Sequence, residues 1–399
     1  MEVSASRLAH GSGHWSPWFG GRVVSKFIIA CGGTGGHLSP GIALAEALVA
    51  RGHAVTLFIS HKQVDRRLVE KYPHLRAERV ASAPFGFRPD VLVRFVYKQA
   101  KGLFFSRRFL KAQRPDAVIG FGGFTNAGVV LAGWMQNIPV ALHEANRIPG
   151  RAVRRLSGLA ARLYLPPGVR MPGIRGVMVR HTGLPVRSDI TRLSRDVARA
   201  QLGVDPAQKL LVVMGGSQGA SNLNQWAEQH LSAFALEGVQ VYCITGMGKG
   251  TVGRREVRGK NGQVMQAWFE AFSDRVGVLL SAADLVLSRA GAGTIAELVR
   301  CETPAILIPY PHAADNHQWA NATYFEQQGG GVVVGEGALD SLRQEVMDVI
   351  FNDWLLNKFR SNLRRMSHEN SIDIIVHDLE DLASGVPPTR HLRHAPLVV

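Results

Sequence analysis

The stretch Lys26-Phe27-Ile28-Ile29-Ala30-Cys31-Gly32-Gly33-Thr34-Gly35-Gly36-His37 decides the fold. Its first half is a short apolar run, the pattern of a strand buried on both faces. Its second half is a turn where glycine lets the backbone approach a ligand closely. A helix-period segment follows from about Pro40 to Arg51, and Ala54 to Ser60 reads as a second strand. Strand, glycine turn, helix and strand in succession predict a parallel βαβ unit. The free N–H groups and positive dipole end of such a helix favour a phosphate beside the turn.

Outward from this unit, Asp116 to Gly120 and Val140 to His143 are further short buried-strand candidates. After Leu184 the pattern restarts. Leu210 to Met214 is a strand, Gly215 to Gly219 a glycine turn, and Ala220 onward a helix, with strands again at Val239 to Thr245, Asp284 to Ser288 and Pro304 to Pro309. Two such units predict an α/β protein of two Rossmann-like domains facing across a cleft, with the boundary near Gly183 to Arg187. The expected division is a disordered extension over 1–24, domains over 25–184 and 185–384, and a flexible tail over 385–399. The helical segment from Asp353 to Leu382 is a candidate for packing back on the first domain.

Three more glycine-containing turns follow strands: Gly120-Phe121-Gly122-Gly123-Phe124, Gly215-Gly216-Ser217-Gln218-Gly219-Ala220, and Arg289-Ala290-Gly291-Ala292-Gly293-Thr294 with Glu297 beyond it. A dinucleotide site needs an acid at the end of the second strand, and Phe58-Ile59-Ser60-His61 has none. A Walker lysine is missing too, since His37 stands after the first glycines. Glycine turns on opposing walls of a cleft suit two phosphorylated substrates instead.

The formal charge of +15 and the isoelectric point near 10.3 call for an anionic partner. Nucleic acid explains them poorly, because the arginines from Arg151 to Arg155 adjoin no recognised nucleic-acid module and the glycine turns would have no role. The three cysteines, Cys31, Cys243 and Cys301, lack disulfide-framework or metal-ligand spacing and fit reduced thiols. No apolar run is long enough to span a bilayer, and the first 22 residues lack the apolar core of a signal peptide. The expectation is a cytoplasmic protein with peripheral membrane contact. Val91 to Lys111 supplies that contact. Leu92, Phe95, Val96, Ala100 and Leu103 recur at helical spacing, Phe104, Phe105 and Phe109 add apolar bulk, and Arg94, Lys98, Lys101 and Arg108 form a basic face. Phe95, Leu103, Phe104, Phe105, Lys98 and Lys101 are the expected residues at an anionic membrane surface. The bland alternative is an amphipathic helix covering the sheet.

Taken together, the four glycine turns, His143-Glu144-Ala145-Asn146, Gly183-Leu184-Pro185-Val186-Arg187 and Asp315-Asn316-His317-Gln318 resemble the MurG family of N-acetylglucosamine transferases, in the family's order, over about Lys26 to Leu382. The chain departs from the usual pattern at Ala145, often Gln, and at Leu184, often Asn. The resemblance implies a GT-B glycosyltransferase fold. The implied reaction is inverting transfer of N-acetylglucosamine from its UDP donor to the C4 hydroxyl of undecaprenyl-pyrophosphoryl-MurNAc-pentapeptide (lipid I). The implied place is the cytoplasmic face of an anionic membrane. Cofactors, metal and nucleic acid have no part in it.

The resemblance also carries residues over. Ser217 and Arg187 would hold the donor diphosphate, Ser273 the uracil, Glu297 the ribose, and Gln318 and Asn146 the sugar. Thr34, Gly35 and Gly36, with Ala292, Gly293 and Thr294, complete the donor site, and Gly33, Gly122 and Gly123 face the acceptor pyrophosphate. His37 is the candidate base, because histidine titrates near working pH and sits at the cleft end of its loop. The competing reading makes it a helix cap or a phosphate ligand. His143 and Glu144 form a tempting pair, but a histidine at a strand end is more often structural. Since one fold hosts many reactions, a diacylglycerol glycosyltransferase and a non-catalytic nucleotide-sugar sensor stand as alternatives.

Overall fold

The computed structural model describes residues 24–385 except 34, 87, 217–218 and 368–370. The expectations for 1–23 and 386–399 therefore lie outside the described residues. The first half contains β1 (Lys26–Ala30), α1 (Gly35–Ala50), β2 (Ala54–Ile59), α2 (Gln63–Val69), β3 (Arg76–Arg79), α3 (Pro89–Gln113), β4 (Ala117–Gly120), α4 (Gly123–Trp134), β5 (Val140–His143), α5 (Arg151–Leu156), β6 (Arg162–Leu165) and β7 (Met178–His181). Its seven strands lie parallel in the order β3-β2-β1-β4-β5-β6-β7. Central β1 is apolar on both faces because helices cover both. Ile29 pairs in register with Leu57 on one side and Ile119 on the other, and all three are buried. Burial of each such side chain contributes roughly 1.5–3 kcal/mol.

The second half runs α6 (Arg195–Leu202), β8 (Lys209–Met214), α7 (Ser221–Gln229), α8 (Leu231–Leu236), β9 (Val239–Ile244), β10 (Gly253–Arg258), β11 (Val264–Glu270), α9 (Val276–Ala282), β12 (Leu285–Ser288), α10 (Ala292–Cys301), β13 (Ala305–Leu307), α11 (His317–Gln327), β14 (Gly331–Val333), α12 (Leu339–Ile350), α13 (Asp353–Met366) and α14 (Ser371–Ala383). Its sheet has the order β10-β11-β9-β8-β12-β13-β14 and is parallel except at β10, which pairs antiparallel with β11. Charged Gly253-Arg254-Arg255-Glu256-Val257-Arg258 suits an edge, where charge discourages further pairing.

The last two helices part company. Leu356 and Phe359 of α13 join the core of the second sheet. Ile375, Val376, Leu379 and Leu382 of α14 enter the core of the first, beside α1 and β4. Asp378 anchors α14 there. It accepts a hydrogen bond from Tyr164 Oη at 2.9 Å and pairs with Arg162 at 3.2 Å and Arg180 at 3.4 Å. All three cysteines are buried free thiols.

Candidate active site

The first glycine turn is held from beneath. Asp65, in α2 and fully buried, accepts through Oδ2 from Gly33 N at 2.8 Å, Ser60 N at 3.1 Å and Ser60 Oγ at 2.6 Å. Gly32 lies so close to β2 that a Cβ would strike Ser60 N. Lys62 Nζ donates to Gly33 O at 2.6 Å and stands 5.1 Å from the Phe124 ring centre, which links the first turn to the second. Sequence reasoning missed both Asp65 and Lys62. An acid does follow the second strand, but it turns back onto the glycine loop, and only its place just beyond β2 hinted at it.

Helix α1 begins inside the glycines, five residues before Pro40, so His37 belongs to its first turn rather than to a preceding loop. The half-buried ring lies against the second turn: a Cβ at Gly122 would stand 3.4 Å from His37 Nε2, and one at Gly123 would stand 3.2 Å from Nδ1. Both glycines have positive φ, +85° and +73°, a region that disfavours other residues. Burial lowers the His37 pKa from 6.5 to about 4, with Asp65 opposing the shift. His317, from the opposite domain, and Lys62 lower it further. At neutral pH the ring is therefore unprotonated.

At the end of β5, His143 stacks on Phe121 at 5.0 Å between centroids, with Nε2 3.4 Å from Gly183 O, and burial lowers its pKa to about 4. Glu144 is a loop clamp. Its Oε1 accepts from Asn146 N at 2.8 Å and Asn146 Nδ2 at 3.0 Å, and its Oε2 from Gly150 N at 2.7 Å. The two do not form an acid–base pair: Glu144 positions Asn146, and His143 packs on Phe121 beside Gly183. Asn146 Oδ1 accepts from Asn321 Nδ2 of the second domain at 3.1 Å.

On the second wall, Gly216, with φ +71°, faces Thr294 at the start of α10, which brings the third and fourth turns together. Gly35, Gly36, Ala292 and Gly293 lie at the beginnings of α1 and α10. Half-buried Glu297 has its pKa raised from 4.5 to about 7 by burial, against the lowering effect of Arg187. Buried Arg187 donates through Nη1 to Tyr72 Oη at 3.3 Å, while its Nε, 3.5 Å from Asp189 Oδ1, has no hydrogen-bond acceptor among the described residues. Ser273 is buried, and its Oγ accepts from Arg275 N at 3.2 Å. Beside it, Lys71 pairs with Asp274 and sits 4.4 Å from the Phe272 ring centre. Gln318 Oε1 accepts from Tyr310 N at 2.9 Å. Expected Thr34 and Ser217 lie outside the described residues.

The two walls are tied together at the Asp315 motif. Arg151 and Arg154 of α5 pair with Asp315 at 3.0 and 2.8 Å, and Arg147 stacks its guanidinium 3.7 Å from the Tyr324 ring centre. Among the described residues no group of three or more His, Cys, Asp or Glu side chains is disposed to hold a metal ion.

Helix α3 differs from its expected membrane face. Leu103 and Phe105 pack against the sheet core, Phe105 at 5.9 Å from Phe58, so their placement at the surface is corrected. The pattern mixed two stripes, because Phe104 and Phe105 point about 100° apart on a helix. Phe95 is half-buried against Phe85 at 5.4 Å, and Lys98 is half-buried too. Phe104 is 72% exposed, and Val93, Val96 and Tyr97 are 69%, 57% and 65% exposed. Lys101 is exposed alongside them. No described helix is long and apolar enough to cross a membrane.

Two largely parallel α/β sheets with phosphate-type turns facing across a cleft define a protein of the GT-B fold. The chain matches the glycosyltransferase family 28 N-terminal domain over residues 27–165 and the family 28 C-terminal domain over residues 210–372. It is similar to the "UDP-N-acetylglucosamine--N-acetylmuramyl-(pentapeptide) pyrophosphoryl-undecaprenol N-acetylglucosamine transferase" of Opitutus terrae, with 58% identity over 92% of this chain and 98% of that protein. The protein of the same name from Parasynechococcus marenigrum is 37% identical over 78% of this chain and 83% of its own. In structure the chain resembles Acinetobacter baumannii MurG, with a TM-score of 0.65 and 23% identity over 90% of this chain and 99% of that one. The chain belongs to the MurG family of N-acetylglucosamine transferases.

Proposed function

We propose that the chain transfers N-acetylglucosamine from UDP-N-acetylglucosamine to the C4 hydroxyl of the muramoyl sugar of lipid I, forming lipid II for peptidoglycan. The acceptor pyrophosphate lies along Gly33, Gly122 and Gly123. The donor lies along the second domain, its diphosphate at the Gly215–Gly219 turn and Arg187, its ribose on Glu297, its uracil beside Ser273 and its sugar between Gln318 and Asn146. His37 accepts the C4 hydroxyl proton as that oxygen forms its bond to the sugar C1. The C1–oxygen bond to the diphosphate breaks, and UDP leaves with the electron pair, so the configuration at C1 inverts. N–H donors at the glycine turn and the positive charge of Arg187 are suited to the charge that develops on UDP. The exposed stripe of α3 meets the anionic cytoplasmic membrane surface from which the lipid-linked acceptor is presented.

The observation that carries this reading is the His37 ring, held against the Gly122–Gly123 backbone in the first turn of α1, where burial lowers its pKa. The test is UDP release from UDP-N-acetylglucosamine, with and without a short-chain lipid-pyrophosphoryl-muramoyl-pentapeptide, in the presence of chelator. Release that requires the acceptor and survives chelation is expected. Donor binding without acceptor-dependent release would overturn the proposal in favour of another acceptor or a sensor.

A further inference from the structure

A second concavity lies outside the cleft. It is a groove of about 520 Å³ between α5 and the crossover that joins β6 to β7, with a lining that includes Pro149, Arg154, Ser157, Arg170, Ile174 and Arg175. No acidic residue lines it. Its floor is apolar, since Met171 and Ile174 pack on the buried cluster beneath. Arg170 and Arg175 are exposed and have no carboxylate partner among the described residues. Arg154 shares Asp315 with Arg151 at the domain seam. An apolar floor rimmed by three guanidinium groups calls for an anion on an organic chain, because arginine grips carboxylates through paired N–H donors.

The position of the groove narrows the class of ligand. Val153, on the inner side of α5, approaches Gly122 of the second glycine turn: a Cβ there would stand 3.7 Å from Val153 Cγ2. Arg154 and Ser157, in and just beyond α5, line the groove, so the thickness of one helix, about 10–12 Å, separates it from that turn. The lining begins at Pro149, three residues past Asn146. A pentapeptide spans up to about 17 Å when extended, enough to cross that interval. Joined to the muramoyl sugar through its amino end, such a peptide keeps a free carboxylate at the other. A lipid headgroup fits less well, because α4 packs between α3 and α5 and sets the groove apart from the exposed apolar stripe.

Building on the transferase reading, we propose that this groove is the peptide subsite of the acceptor, with Arg170 and Arg175 taking the terminal carboxylate and Arg154 closing the rim nearest the cleft. The test uses the full chain and three short-chain acceptors: the pentapeptide form, the same form amidated at the terminal carboxylate, and a muramoyl form without peptide. The wild type is expected to favour the free carboxylate over the amide by roughly tenfold in kcat/KM, the scale of a charge-assisted hydrogen bond. The R170A/R175A variant should lose that preference while keeping wild-type kcat/KM on the peptide-free acceptor. A wild type indifferent to the carboxylate, or a variant that slows equally on all three acceptors, overturns the subsite and leaves the transferase reading standing. So does a variant that keeps the preference but binds anionic vesicles less well, which would make the groove a headgroup site. No UDP release by the wild type with any acceptor would overturn the transferase reading and the subsite with it.

Discussion

At His37 two demands meet on one side chain. A base must be unprotonated before reaction, yet an exposed histidine is substantially protonated just below neutrality. Enclosure against Gly122 and Gly123 lowers the pKa to about 4, so the neutral form persists well into acid. His37→Ala is expected to lower acceptor-dependent turnover by roughly 10²-fold or more, the usual scale for losing a general base, with UDP-N-acetylglucosamine binding retained. In the intact protein, the acid limb of kcat/KM for the acceptor should lie nearer pH 4 than 6.5, since only protonation below the depressed pKa removes the base. A limb near 6.5, or normal turnover in the variant, would remove His37 from that role. This residue and the glycines around it were legible in the sequence because they are consecutive. Asp65 and Lys62 were not, although both grip Gly33, because their use depends on how α2 folds back over the loop.

Among the elements, α3 is where spacing and packing disagree most. Gly102, Ser106 and Leu110 mark its buried line, and Val93, Val96, Tyr97 and Phe104 its exposed one. Helical periodicity announced an amphipathic helix, but apolar residues on both sides of it blurred which stripe faced the sheet. Replacing Val96 and Phe104 together by Glu is expected to weaken binding to vesicles containing anionic lipid by about tenfold or more, given roughly 1.5–3 kcal/mol for each buried apolar side chain. UDP release with a short-chain soluble acceptor should be unchanged. Equal vesicle binding by variant and wild type, measured by cosedimentation, would assign the stripe another purpose. Edge strands were the other weak point of the sequence reading. β3 is Arg76-Ala77-Glu78-Arg79 and β10 is dominated by arginine, so neither shows the apolar run that exposed the central strands.

Across the whole molecule, the cleft is held by contacts that no single domain contains. Asp315 and Asn316 both adopt left-handed φ, +51° and +56°, a conformation that non-glycine residues disfavour. That turn presents the Asp315 carboxylate to Arg151 and Arg154 at once. These charges are exposed enough for salt to screen them, so the clasp is a modest one. Asp315→Ala should shift the ligand-free protein a few-fold towards an open arrangement, read as a longer distance between labels on the two domains. High salt should move the wild type the same way. An unchanged distance distribution in the variant would show that the Arg147–Tyr324 and Asn146–Asn321 contacts hold the domains without Asp315.

The sequence by itself determined the repeated strand-turn-helix units, the glycine turns at their ends and the pairing of two such halves, because each signal lies within a few consecutive residues. Buried parallel strands must be apolar throughout, and a close backbone turn must be glycine-rich, wherever the rest of the chain goes. Tertiary structure alone decided which side of α3 is exposed, where Asp65 spends its hydrogen bonds, and how Arg187 comes to bridge Tyr72 and Asp189. It also divided the C-terminal helical segment, keeping α13 on the second sheet and seating α14 on the first, where Asp378 meets Tyr164 across 214 residues of chain. A side chain's partner across such a distance depends on packing between elements, and local periodicity carries no record of it.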